Sequence, residues 1–158
     1  MYKVWMLAAA VTLAPVAAHA QATLDQPHQI LGEGVQRVVQ GNFAEAEKKL
    51  REALREDPSL SEAHYNLAVA LRAQGQFAEA ASEYRIASKM FGDEPRIAQA
   101  LYGEALARES LGDTRAWDSY LAFARPRAAE QPAVQIAEEH REELNGVKVP
   151  GGYQKAAR

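Results

Sequence analysis

Cysteine is absent from the 158 residues. The chain therefore forms no disulfide and offers no thiolate to a metal or a nucleophilic mechanism, so its stability rests on packing alone. A lipid-modified export signal, which needs a cysteine at its cleavage point, is not expected either. Positive charge is in deficit, with 18 Lys and Arg against 21 Asp and Glu. That balance gives no general attraction to nucleic acid or anionic lipid, and nucleic-acid binding drops out on charge grounds. Beyond the first twenty residues no apolar run approaches the ~20 residues that span a bilayer. The whole chain, 47% hydrophobic and 25% charged, has the profile of one ordinary globular domain.

The first twenty residues, MYKVWMLAAAVTLAPVAAHA, read differently from the rest. Lys3 is their only charge, an apolar run extends from Val4 to Ala14, Pro15 interrupts it, and Ala18-His19-Ala20 supplies small residues at the end. These are the parts of a secretory signal peptide, with cleavage expected after Ala20 and Gln21 as the new N-terminus. The rival is a retained anchor, for which the run is short. Without Lys3 the charge balance becomes 17 against 21, a net −4. The expectation is an exported chain, periplasmic, with no stable membrane insertion once the leader is removed.

An internal echo organises the remainder. GNFAEAEKKL at 41–50 returns as GQFAEAASEY at 75–84, 34 residues later. Phe43, Ala46, Leu50 and Ala53 share their 3, 4, 3 spacing with Phe77, Ala80, Tyr84 and Ala87. That is the apolar stripe of an amphipathic helix whose small residues admit a close neighbour. Gly41 and Gly75 are suited to ending a preceding helix, over 27–40 and 61–74, and turning into the next. Asn42 is expected to cap the second helix of its unit, and Ser59 with Glu62 to form a capping box after Pro58. Such a helix pair cannot bury its apolar face alone, but stacked pairs can.

These residues resemble the tetratricopeptide repeat family. Leu67, Ala68, Leu71, Gly75, Ala80, Tyr84 and Ala87 stand at the family's positions in residues 61–94. Gly34, Gly41, Ala46, Leu50, Ala53 and Pro58 do so in 27–60. Gly92 stands where the family usually has proline, and Glu33 and Arg37 stand where it wants buried apolar residues. A third, drifted unit occupies 95–130, with Ile97, Leu101, Ala105 and Gly112, and with Asp113 placed to cap a helix from Thr114 carrying Ala116, Tyr120 and Phe123. Residues 131–144 read as a capping helix, with Ala133, Ile136, Ala137, His140 and Leu144 on one side. The expected fold is thus all-α, a helical-hairpin solenoid of about three repeats plus that helix, spanning 27–144. Residues 145–158 form a basic tail, either a frayed end or a docking segment for an acidic partner.

Chemistry-bearing constellations are missing. His28, His64 and His140 have no companions at metal-ligand spacing, and HREE at 140–143 lacks the second histidine of a zinc motif. His64 and His140 read as packed imidazoles. Gly32-Glu33-Gly34 lies inside an expected helix and lacks the lysine of a phosphate loop, and there is no G-x-S-x-G elbow. Glu138-Glu139 and Glu142-Glu143 read as a solvated helix face. No catalytic residue, cofactor or metal site is expected, and the chain is not read as an enzyme.

The resemblance implies a concave groove lined by first helices that binds another protein or peptide. Its family positions carry over to Leu31, Val35, Val38 and Val39 in the first unit, to Tyr65, Asn66, Val69, Arg72 and Ala73 in the second, and to Arg96, Gln99 and Gly103 in the third. Leu31 and Val35 fit equally well as packing between helices. They also replace the Lys and Asn that a C-terminal carboxylate clamp needs, so an extended or helical segment with apolar anchors fits better. The resulting reading is a scaffold of the cell envelope, serving pilus, secretion or envelope assembly. The rivals are a homo-oligomer pairing through Ile136 or Leu31 faces, and an envelope enzyme whose site converges from loops.

Overall fold

The computed structural model describes residues 14–128 and 131–146, with side chains over 25–127 and 131–146. Seven helices occupy them: α1 (Ala14–Val39), α2 (Phe43–Glu56), α3 (Ser61–Ala73), α4 (Phe77–Met90), α5 (Glu94–Glu109), α6 (Asp118–Ala128) and α7 (Pro132–Leu144). No strand occurs among the described residues. Each helix packs on the next, and α1 also touches α3 and α3 touches α5. That is the pattern of stacked helical hairpins, with first helices sharing one side. Residues 1–13, 129–130 and 147–158, and with them most of the expected leader and of the expected basic tail, lie outside the described residues.

The turn that ends each first helix is the same. Gly41, Gly75, Gly112 and Gly146 all adopt φ between +75° and +79°, a conformation open to glycine at little cost. Each glycine N–H bonds the carbonyl three residues back. The next residue bonds five back in Asn42 to Arg37, Gln76 to Leu71 and Asp113 to Arg108, at 2.9, 2.9 and 3.1 Å. The spacings between these glycines are 34, 37 and 34 residues. The three extra residues match the length of α5, 16 residues against 13 in α3. Because α7 ends on the same glycine turn, it is built as the first helix of a further unit.

The second helices bury the expected stripe: Ala46, Leu50 and Ala53 on α2, and Ala80, Tyr84 and Ala87 on α4. Two further glycines permit close helix approach. A Cβ on Gly34 would lie 2.7 Å from Leu50 Cγ, and one on Gly103 would lie 2.6 Å from the Tyr84 ring. The larger core joins Ile30, Leu31, Leu50, Leu60, Leu67 and Leu71, while Trp117, Tyr120, Leu121 and Val134 form a second core between α5, α6 and α7.

Several local expectations are corrected. α1 starts at Ala14, passing through residues 21–26 and Pro27 rather than beginning at 27, so cleavage after Ala20 would fall inside it. Asn42 and Leu60 occupy the N-cap positions of α2 and α3 with no side-chain cap bond. Ser59 turns back instead, its N–H and hydroxyl both donating to Asp57 Oδ1 at 2.8 and 2.6 Å. The cap the sequence reading missed is Asp93, which accepts from the Arg96 N–H at 3.0 Å and starts α5 ahead of Pro95. Asp113 holds a turn through the Arg115 N–H, and α6 begins only at Asp118. Glu33 and Arg37 stay exposed and tie α1 to α2 by ion pairs, to Lys49 at 2.8 Å and Glu45 at 3.4 Å.

Candidate partner-binding groove

Counting back from the turn glycines shows which side chains correspond. Ten residues ahead stand Leu31, Tyr65, Tyr102 and Ile136, and three ahead stand Val38, Arg72, Glu109 and Glu143. Tyr65 and Tyr102 meet at a hollow of about 310 Å³ lined also by Ala98, Gln99, Tyr120 and Ala133. A second hollow of about 420 Å³ adjoins it, sharing Ala98 and Tyr120 and walled by Pro95, Phe123, Arg127 and Val134. Together they form an aromatic-walled depression running over α3, α5, α6 and α7.

The rings are held firmly. Tyr102 stacks edge-on against Trp117 at 5.1 Å and Tyr120 at 5.3 Å, and Trp117 is fully buried. The Trp117 indole N–H donates to Glu109 Oε2 at 2.7 Å, and the same carboxylate lies 3.0 Å from His140 Nδ1, fastening α6 and α7 to α5. Tyr65 stacks on Tyr84 at 5.5 Å and on Phe91 at 6.1 Å. Burial pushes the Tyr84 and Tyr120 hydroxyls up, with Arg72 opposing the shift at Tyr84. Rings locked by their neighbours present contact area at small ordering cost to a ligand.

Of the residues carried over from the resemblance, the structure brings only Tyr65 and Gln99 to these hollows. Leu31 is 7% exposed and belongs to the larger core, and Val35 and Val38 pack against it. Gly103 is buried under the Tyr84 ring, so it is a packing residue and not a groove residue. Val39 is 81% exposed at the end of α1. Asn66 spends its amide on its own helix, donating to the Glu62 carbonyl at 2.8 Å. Val69 and Arg72 are half-buried, the Arg72 Nε lacking a bond, and Ala73 is exposed. Arg96 is exposed, pairs with Asp93 and lies over the Phe91 ring at 4.9 Å.

Residues 31–92 and 69–129 each match the tetratricopeptide repeat family model. Together the two stretches cover more than half of the chain. The chain belongs to the tetratricopeptide repeat family. No curated protein matches it. Tetratricopeptide repeats generally mediate protein–protein interaction and are typically non-catalytic, which supports a scaffold role for the chain. Among the described residues no three His, Cys, Asp or Glu side chains gather to hold a metal ion, and no helix is long and apolar enough to cross a membrane.

The two hollows lie further toward the C-terminus than the residues a strict 34-residue offset selects. Tyr102, Ala98, Tyr120, Phe123 and Ala133 were all missed. The signal that finds Tyr102 is its position ten residues before Gly112, matching Tyr65 before Gly75. Nothing in the sequence pattern marks Tyr120 as facing the hollows, because it also serves the core.

Proposed function

We propose that the chain is an adaptor of the cell envelope that holds a segment of a partner protein in the depression walled by Tyr65, Tyr102 and Tyr120. The observation carrying this reading is the pair of adjoining hollows on the first-helix side, whose aromatic walls are braced from behind by Trp117 and Tyr84. An extended or helical segment with apolar anchors suits that chemistry. The leader-like residues 1–20 support export to the periplasm, with cleavage after Ala20, and service in pilus, secretion or envelope assembly. No catalytic step is assigned to it.

In-cell photo-crosslinking from Gln99, which is exposed and lines the smaller hollow, tests the reading against Arg85 on α4. A discrete adduct from Gln99 alone supports it. Adducts from Arg85 alone, or self-adducts alone, overturn it. N-terminal sequencing of the recovered protein checks export, with Gln21 as the expected first residue.

A further inference from the structure

Most cations of this array have acid partners, but Lys48 and Arg55 on α2 form no hydrogen bond or ion pair among the described residues. They stand seven residues apart, two helical turns or roughly 10 Å along one face. Between them lies a hollow of about 410 Å³ bounded by α2, α3 and α4, with half-buried Leu54 as its apolar wall, the buried Leu67 of α3 at its base, and Arg51 and Glu83 at its sides. The other charges there are already engaged. Arg51 donates to Glu47 at 3.0 Å and Glu79 at 2.7 Å, and Glu83 is bonded to His64 at 2.6 Å. The notch therefore keeps two uncompensated positive charges flanking an apolar wall, on a chain whose net charge is −3.

We propose that this notch, on the second-helix side, is a separate docking surface for an acidic helix of a partner protein. An apolar side chain of that helix enters against Leu54, and carboxylates two turns apart meet Lys48 and Arg55. The charge sign selects the occupant. Residues 147–158 of this chain, with Lys148, Lys155 and Arg158 and no acid, are repelled from the notch. Desolvated apolar contact supplies affinity, and the paired charges fix register and hasten encounter.

The test titrates the isotope-labelled full chain with a synthetic helix bearing one leucine midway between two glutamates seven residues apart, and with its glutamine counterpart. Amide shifts are expected at Lys48, Arg51, Arg55 and Glu83 with the glutamate peptide only. The double variant Lys48→Gln/Arg55→Gln weakens binding about tenfold. The equally exposed pair Arg85→Gln/Lys89→Gln leaves it unchanged, and both keep the helical content of the parent. Equal weakening by both doubles, equal binding of the glutamine peptide, shifts at Tyr65 and Tyr102 instead, or no shift at millimolar peptide would each overturn the assignment. Concentration-dependent shifts at the notch in peptide-free chain, with a sedimenting dimer, would make it a self-interface carrying the exposed acids of α7 and overturn the partner-helix reading.

Discussion

Replacing Gly103 by alanine puts a methyl group where the structure has a ring. The new Cβ would sit 2.6 Å from Cε1 and Cζ of Tyr84 and 2.9 Å from Cδ1. Carbon contacts settle near 3.5–4.0 Å, so the overlap is about 1 Å. Tyr84 is 2% exposed and stacked on Tyr65, leaving the ring nowhere to retreat. Overpacking costs about 1–3 kcal/mol, and an overlap of about 1 Å on a ring that cannot move belongs to the upper half of that range, about 2–3 kcal/mol, while exchanging glycine for alanine in a helix returns about 1 kcal/mol. The expected net loss is about 1–2 kcal/mol, or roughly 3–5 °C in Tm for a domain of this size. Gly32 is the matched control, being helical, exposed and with nothing near its would-be Cβ, so Gly32→Ala should stabilise by a few tenths to about 1 kcal/mol. Circular dichroism during thermal and urea unfolding reads both. Tyr84→Leu combined with Gly103→Ala should cost less than the two single changes together, since the clash partner is gone. If Gly103→Ala proves neutral or stabilising, as at Gly32, the close approach of α5 to α4 is wrong and Gly103 returns to the groove.

Three further outcomes are expected. His64 faces two acceptors, with Nδ1 donating to Glu83 at 2.6 Å and Nε2 to the Pro58 carbonyl at 3.2 Å, so the doubly protonated ring satisfies both. The hydrogen bond to Glu83 holds the His64 pKa above its ordinary value. Its stabilisation is therefore full below the unfolded histidine pKa and lost as pH rises through the folded one. Urea midpoints of the parent should fall across that window, and those of His64→Gln should not; parallel curves would refute the pairing. Burial raises the Glu104 pKa, against the opposing charge of Arg108 at 3.7 Å. That carboxyl contributes most when protonated, and its contribution fades as pH rises, so Glu104→Gln should raise Tm at pH 7 and leave it unchanged in acid. Trp117→Phe removes the donor to Glu109 in the second core and should cost about 1–3 kcal/mol, with hydrogen exchange in α7 accelerating more than in α2.

The repeat and its helices were legible because two signals coincide: the 3, 4, 3 stripe of α2 and α4, and glycines where only a left-handed turn fits. Gly112 carried the same information for the third unit, but dead reckoning at 34 residues carries Tyr65 to Gln99, three short of Tyr102, and Val69 to Gly103. The extension of α5 that shifts the register lies at its N-terminal end, where Asp93 and not a proline sets the start. Cap chemistry misled for a different reason. Asn42 and Ser59 are residue types that serve caps and Asx turns alike, and local backbone geometry decides between them. Leu31 and Val35 could not be divided between core and groove because both roles take the same apolar residue at the same helical position.

The longer α5 also gives the depression two unlike ends. Three added residues carry its start about 4–5 Å beyond a helix of α3 length, and Glu94 and Pro95 there become part of the larger hollow's rim. Glu94 reaches Arg127 at 2.9 Å and closes that rim against α6, whereas the smaller hollow toward α3 is lined by Tyr65, Ala98, Gln99, Tyr102, Tyr120 and Ala133, none of them charged. A ligand lying across the array thus meets an uncharged threshold at one end and a charged sill at the other. Such a surface has polarity: a peptide and its reversed-sequence counterpart, identical in composition, would not fit it alike.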